Sequence, residues 1–132
     1  MLTHKHILKV GLAVKNSNCL LVVRKRGTSS YILPGGKPER NEDDVTTLVR
    51  ELNEELGCRV LVESLVFLGT FSDVAADHKK TAVTVRLYAG KLVGEPKPQS
   101  EIEEIKWVDL HEKNPHLAPS LKNSIVPFLL SH

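Results

Sequence analysis

Glu51, Glu54 and Glu55 lie in the run Arg50-Glu51-Leu52-Asn53-Glu54-Glu55-Leu56-Gly57. With Glu51 set at 0°, a helix turning by about 100° per residue carries Glu54 near about 300° and Glu55 near about 40°. Three carboxylates then share an arc of about 100°, one turn apart. Like charges at that spacing oppose the helix even when exposed. Arg50, near about 260°, can pair with Glu54 one turn on, but one guanidinium does not neutralise three carboxylates. A hard divalent cation would. Mg2+ prefers carboxylate oxygens, keeps several waters and bridges protein acids to substrate phosphates. Taken alone, the same residues also read as an ordinary solvated Glu-rich face.

The elements around this arc follow from periodicity. From Asp43 onward, Val45, Leu48, Val49, Leu52 and Leu56 recur at helical spacing and predict a core-facing stripe beside the carboxylates. Asn41 is the expected N-cap, with Asp44 completing a capping-box-like pair, and Glu42, Asp43 and Asp44 sit at the positive end of the helix dipole. Glu42 is thereby placed in the first helical turn, and Gly57 is the expected stop. Upstream, Pro34-Gly35-Gly36-Lys37-Pro38 reads as a loop. It is not a P-loop, since no Gly-x4-Gly-Lys-Ser/Thr is present. Residues 6–14 and 18–25 predict two strands that could pair as a hairpin. Residues 59–71, 80–92 and 103–110 predict three more, and His78, Lys79 and Lys80 fall in a turn between them. Residues 94–100 are a loop by their two prolines. Leu121, Ile125, Phe128 and Leu129 form a helical stripe that Pro127 weakens.

The 132 residues predict one domain, 1–132, with 41% hydrophobic residues and a net charge of +2. The cations are scattered, with short clusters only at Arg24-Lys25-Arg26 and Lys79-Lys80, which argues against a nucleic-acid-binding face. Cys19 and Cys58 lack disulfide or zinc spacing. No signal-peptide core is present, and no apolar run reaches the roughly 18 residues of a membrane span. The expectation is a soluble cytoplasmic protein that does not bind membranes, monomer or homodimer left open.

The conjunction of a Gly-Gly loop, a helix start and an Arg-Glu-x2-Glu-Glu face before a glycine resembles the signature of the Nudix hydrolases, the MutT-like pyrophosphohydrolases. That pattern is Gly, five residues, Glu, seven residues, then Arg-Glu-aliphatic-x-Glu-Glu-x-Gly-aliphatic. It is met by Gly36, Glu42 and Arg50-Glu51-Leu52-Asn53-Glu54-Glu55-Leu56-Gly57, with Cys58 in the last aliphatic place. Tyr31-Ile32-Leu33-Pro34 before the box, and Ser100 to Leu110 with its Trp107-Val108, extend the similarity over most of the chain.

The resemblance implies an α/β fold, an α/β/α sandwich with a mixed β-sheet and a loop-helix-loop catalytic box. It implies that Glu51, Glu54, Glu55 and the Gly35 carbonyl bind Mg2+ or Mn2+. A further acid would come from a distant loop; Glu101 fills that place, while Glu103 and Glu104 are read as facing solvent. Arg50 would orient the carboxylates, Gly36, Glu42 and Gly57 would be structural, and Arg24 and Lys37 would contact phosphate. Glu51, Glu54 or Glu101 would be the general base. The substrate implied is a small-molecule nucleoside diphosphate derivative. The proline and tyrosine associated in the family with ADP-ribose and with dinucleoside polyphosphates are absent from residues 72–80. That favours a nucleoside triphosphate, oxidised or not, cleaved to the monophosphate and pyrophosphate. The alternatives are an ADP-ribose or nucleotide-sugar pyrophosphatase and a non-catalytic Nudix-like binding module.

Overall fold

A computed structural model describes residues 5–75 and 78–132. Among the described residues, seven strands form two sheets. Strands β1 (Lys5–Ala13), β4 (Gly35–Gly36), β5 (Arg59–Ala75) and β6 (His78–Val93) form a mixed sheet in the order β4-β1-β6-β5. Within it β1 runs parallel to β6, and β4 and β5 pair antiparallel to β1 and β6 respectively. Strands β2 (Lys15–Asn16), β3 (Cys19–Lys25) and β7 (Ile102–Asp109) form an antiparallel sheet in the order β2-β3-β7. Helix α1 (Asp44–Leu56) covers one side, and the C-terminal helical segment covers the other.

Alternation along the central strands divides the core. Val10 and Leu12 of β1, with Leu21 and Val23 of β3, meet Leu48, Leu52 and Leu56 of α1. Leu20 and Val22 of β3, with Val85 and Leu87 of β6, meet Leu121, Ile125 and Leu129. Both faces of these strands are buried, so they read in sequence as nearly continuous apolar runs. This also corrects the expected hairpin of 6–14 with 18–25. The turn is there, but only the two residues of β2 pair with β3, while β1 lies in the other sheet against β6. His78, Lys79 and Lys80 begin β6, so the turn expected at these three residues is corrected to strand. The expected strands 59–71, 80–92 and 103–110 are β5, β6 and β7, the first two running longer than their apolar stretches.

The C-terminal segment opens with a π turn, Leu121–Ile125, and continues as α2 (Val126–Ser131). The Val126 amide donates to the Leu121 carbonyl across the wider turn, and Pro127 falls in the first turn of α2, where a missing N–H costs nothing. Proline therefore changes the register of the helix rather than ending it.

The start of α1 differs from expectation. Asp43, not Asn41, is the N-cap: its extended backbone ends the loop, and its Oδ1 accepts from the Thr46 amide at 2.8 Å. Asn41 instead adopts a left-handed conformation, φ 66°, two residues earlier. Asp44 is committed elsewhere. It takes the Arg86 guanidinium through both oxygens and the Tyr88 hydroxyl at 2.7 Å, fastening the first turn of α1 to β6. The helix stops at Gly57, φ 66°, whose amide returns to the Asn53 carbonyl at 3.0 Å.

The cap assignment is testable by urea unfolding. Asp43→Ala should cost about 1 kcal/mol. Asn41→Gly, which relieves a left-handed side chain, should leave stability unchanged or raise it.

Candidate active site

Two glycines make the site possible. In β4, Gly36 stands opposite Val10 and Gly35 opposite Gly11. Gly35 has φ 140°, and a Cβ there would lie 2.1 Å from the Val10 carbonyl oxygen. A Cβ on Gly36 would lie 2.5 Å from the Glu51 carboxyl carbon. Gly36 thus lets α1 close onto β4, while Gly35 lets β4 close onto β1.

That close approach changes which face of the helix is buried. The buried residues are Thr47, Leu48, Leu52, Glu55 and Leu56, while Val49 is 39% exposed. The buried arc is therefore rotated from the apolar stripe toward the carboxylates, and Glu55 sits inside at 1% exposure. Its Oε1 accepts from the Gly35 amide at 2.9 Å. Among the described residues, its Oε2 is the one buried side-chain nitrogen or oxygen without a hydrogen-bond partner. Burial pushes this carboxyl up to about 8, against the pull of the Gly35 amide. Burial also raises Glu51, with Arg50 opposing it. Glu54 is the open member of the three, its side chain 53% exposed.

Arg50 organises the rim. Its Nε and one terminal nitrogen fork onto Glu42 at 2.7 and 2.8 Å. The other terminal nitrogen holds Glu51 at 2.8 Å and lies 3.5 Å from Glu54 and 3.4 Å from Glu39. A further bond at 3.1 Å goes to the Lys37 carbonyl. Glu42 precedes the N-cap and does not serve the helix dipole as expected. It closes a small ring with the Glu39 amide and the Thr47 hydroxyl, and Arg50 holds its carboxyl down at about 2.

Glu101 comes from the segment before β7. Residues 96–99 are Pro-Lys-Pro-Gln, and the two that retain an amide hydrogen use it: Lys97 donates to the Leu56 carbonyl at 3.0 Å and Gln99 to the Glu55 carbonyl at 2.9 Å. This strap lies across the free end of α1 and brings Glu101 near enough that its charge raises both Glu51 and Glu55. Glu101 itself pairs with Lys25 at 3.5 Å.

The two expected phosphate contacts are placed differently. Arg24 is held by Glu104 at 3.1 Å and by the Thr28 carbonyl at 3.0 Å, and Glu104 also accepts from the Tyr31 hydroxyl. Glu104 is thus half-buried and partnered rather than simply solvent-facing, and Glu103 pairs with Arg26. Lys37 has an exposed side chain and contributes its backbone to Arg50. Next to β4 opens a cleft of about 180 Å³, lined by Lys9, Lys25, Gly35 and Gly36 and by the apolar Val83, Val85 and Leu121. Lys9 and Lys25 were not singled out from the sequence. The signal for Lys9 is a lone cation inside the apolar run of β1.

Fold and box geometry fit one family. A family model of the NUDIX domain matches residues 5–129. The chain belongs to the NUDIX family. Among solved structures, the MutT protein from Methanosarcina mazei Go1 aligns with a TM-score of 0.80 at 21% identity, covering 99% of this chain and 98% of that one. A protein from Chromobacterium violaceum assigned to the nudix hydrolase family aligns at 28% identity and TM-score 0.72, covering 98% and 80%. A bifunctional NMN adenylyltransferase/ADP ribose pyrophosphatase from Francisella tularensis, complexed with AMP and a Mn ion, aligns at 19% and 0.71, covering 98% of this chain and 42% of that one. No curated protein sequence matches. As a NUDIX member the chain is a pyrophosphohydrolase by reaction class. No helix among the described residues is long and apolar enough to cross a membrane.

The Arg50–Glu42 pair gives the NUDIX box a pH signature. Glu42 is held below its ordinary value of 4.5, so its contribution is complete above about pH 4.5 and is lost as pH falls toward about 2. Glu42→Gln should lower the urea midpoint at neutral pH and flatten the further loss between those limits. A variant with the wild-type acid profile would show that the pair does not hold the box.

Proposed function

We propose that this protein hydrolyses the diphosphate linkage of a nucleoside diphosphate derivative, with Mg2+ or Mn2+, and that a nucleoside triphosphate is its substrate. The observation that carries the reading is the unpartnered, buried Oε2 of Glu55 beside Glu51. Buried carboxylate oxygens are rarely left without a partner, and a hard cation is the partner this oxygen-only donor set fits. Among the described residues no three His, Cys, Asp or Glu side chains are already drawn together as ligands. Each is instead held by a local partner: Glu51 by Arg50, Glu55 by the Gly35 amide and Glu101 by Lys25. The ligands would be Glu51, Glu54, Glu55, the Gly35 carbonyl and Glu101. The bound ion would screen the diphosphate charge and acidify a water.

The chain's own groups then divide the remaining work. Arg50 fixes the rotamer of Glu51, so that carboxylate is oriented before substrate arrives. Glu54 is the best-placed general base: it is the most solvent-accessible of the three box carboxylates and is only loosely engaged by Arg50. It takes the proton from the attacking water. Lys25, which lines the cleft, balances the charge of Glu101. The apolar wall of Val83, Val85 and Leu121 offers a surface for a nucleoside base. The nucleotide and manganese in the Francisella structure are consistent with the same class of ligand. The triphosphate preference rests on the sequence between 72 and 80, which lacks the residues tied to other substrates. The site is read as belonging to a cytoplasmic enzyme.

Hydrolysis of a panel of nucleoside triphosphates, ADP-ribose, dinucleoside polyphosphates and nucleotide sugars with Mg2+ and Mn2+ tests the reading. Release of pyrophosphate from triphosphates is expected, and exhaustive chelation should abolish it. Glu54→Gln should keep the wild-type melting temperature while turnover falls by about 10² or more. Retention of more than about a tenth of wild-type turnover would remove the base from this position. Independently of turnover, Mn2+ should raise the melting temperature of the wild-type protein. Glu55→Gln should lose that rise; an undiminished rise would place the ion elsewhere.

A further inference from the structure

Lys9 is the lysine of the cleft whose ammonium, among the described residues, closes no ion pair. It projects from β1 between Ile7 and Gly11, and all three line the cleft. It is half-buried, and among the described residues it makes neither a salt bridge nor a side-chain hydrogen bond. Burial lowers its pKa, and the neighbouring charges of Lys25 and Lys37 lower it further. The charges of Glu55 and Glu51 act the other way, across β4, without closing a contact. A desolvated ammonium without a counter-ion costs free energy, and an apolar residue would fill that strand position at no such cost.

The other polar groups lining the cleft do not answer the charge. Thr28, Ser30 and Ser120 are neutral, and Lys25 is already paired with Glu101. The site therefore has two poles, with Gly35 and Gly36 lining the cleft beside Lys9 and Gly35 also holding Glu55 through its amide. The acidic pole is Glu51, Glu54 and Glu55; the cationic pole is Lys9, flanked by Lys25 and Lys37. A ligand spanning both must be anionic where it leaves the carboxylates and apolar where it reaches Val83 and Val85.

We propose that Lys9 is a phosphate-binding residue, its ammonium donating to a non-bridging oxygen of the substrate's diphosphate chain. This rests on the function proposed above for the same site and adds the group that grips the chain without help from a metal. Lys9 thereby selects polyanionic phosphate chains, and a single phosphate would span the two poles poorly.

The test is titration of the metal-free protein, in excess chelator, with inorganic pyrophosphate. Wild type should bind saturably, and Lys9→Met should weaken binding by about tenfold or more, the scale of one charge-assisted hydrogen bond. Lys9→Arg should restore most of it. Lys91→Met, which removes an exposed lysine of β6, should leave it unchanged. Lys9→Met should fold with a melting temperature at or above wild type, and Lys9→Gln is the second variant should it not. The proposal is overturned if wild type shows no saturable binding, if Lys9→Met and Lys9→Gln bind within twofold of wild type, or if Lys91→Met weakens binding as much. Lys9-dependent pyrophosphate binding in a protein that hydrolyses none of the nucleotide panel would sink the proposed function and leave this assignment standing.

Discussion

Helix α1 buries a carboxylate against a strand made of two glycines, and most of the molecule is arranged to allow it. Taking Glu55 out of water is costly unless its oxygens are met. One oxygen is met by the Gly35 amide. Gly36 leaves room for Glu51 of the helix, and Gly35 leaves room for the Val10 carbonyl of β1, so the strand can sit between the two at backbone distance. Strand β4 in turn exists because β1 pairs with it, with Gly11 of β1 facing Gly35. The geometry of the site is thus set at backbone distance. The clamp of Asp44 onto Arg86 and Tyr88 holds the other end of the same helix to the same sheet.

Around this buried acid the remaining charges are shared out through Arg50. A planar guanidinium presents five donors in a fixed fork, and here they reach Glu42, Glu51 and the Lys37 carbonyl. Lysine could not hold Glu42 bidentately while also steering Glu51. One residue therefore joins the loop before the helix to the carboxylate-bearing face of the helix.

Much of this was legible in sequence. The Arg50-to-Gly57 run placed the helix, its stop and its carboxylates, and the apolar runs of β3, β6 and β7 marked real strands. What escaped depended on contacts between distant segments. The cap at Asp43 could not be told from Asn41, because both are good capping residues and the choice was made by the Glu39–Glu42 ring. The hairpin was misassigned because β1 and β3 are buried on both faces, so their patterns do not say which sheet each joins. Glu55 was read as one of three equivalent acids, because helical angles do not reveal that the opposing strand lacks side chains. Arg24 resembled a phosphate ligand by position along the strand, yet its donors go to Glu104 on the neighbouring one.

The strap over the end of α1 works as a frame-reading device. Prolines at 96 and 98 have no hydrogen to give, so donors recur at every second residue, opposite the carbonyls of Leu56 and Glu55. A slip of one residue in either direction would bring a proline to a carbonyl that expects a donor. The strap is therefore legible in one phase only. Whatever length the connection before it acquires or sheds, the count from Gln99 to Glu101 is preserved, and with it the reach of that acid toward the helix.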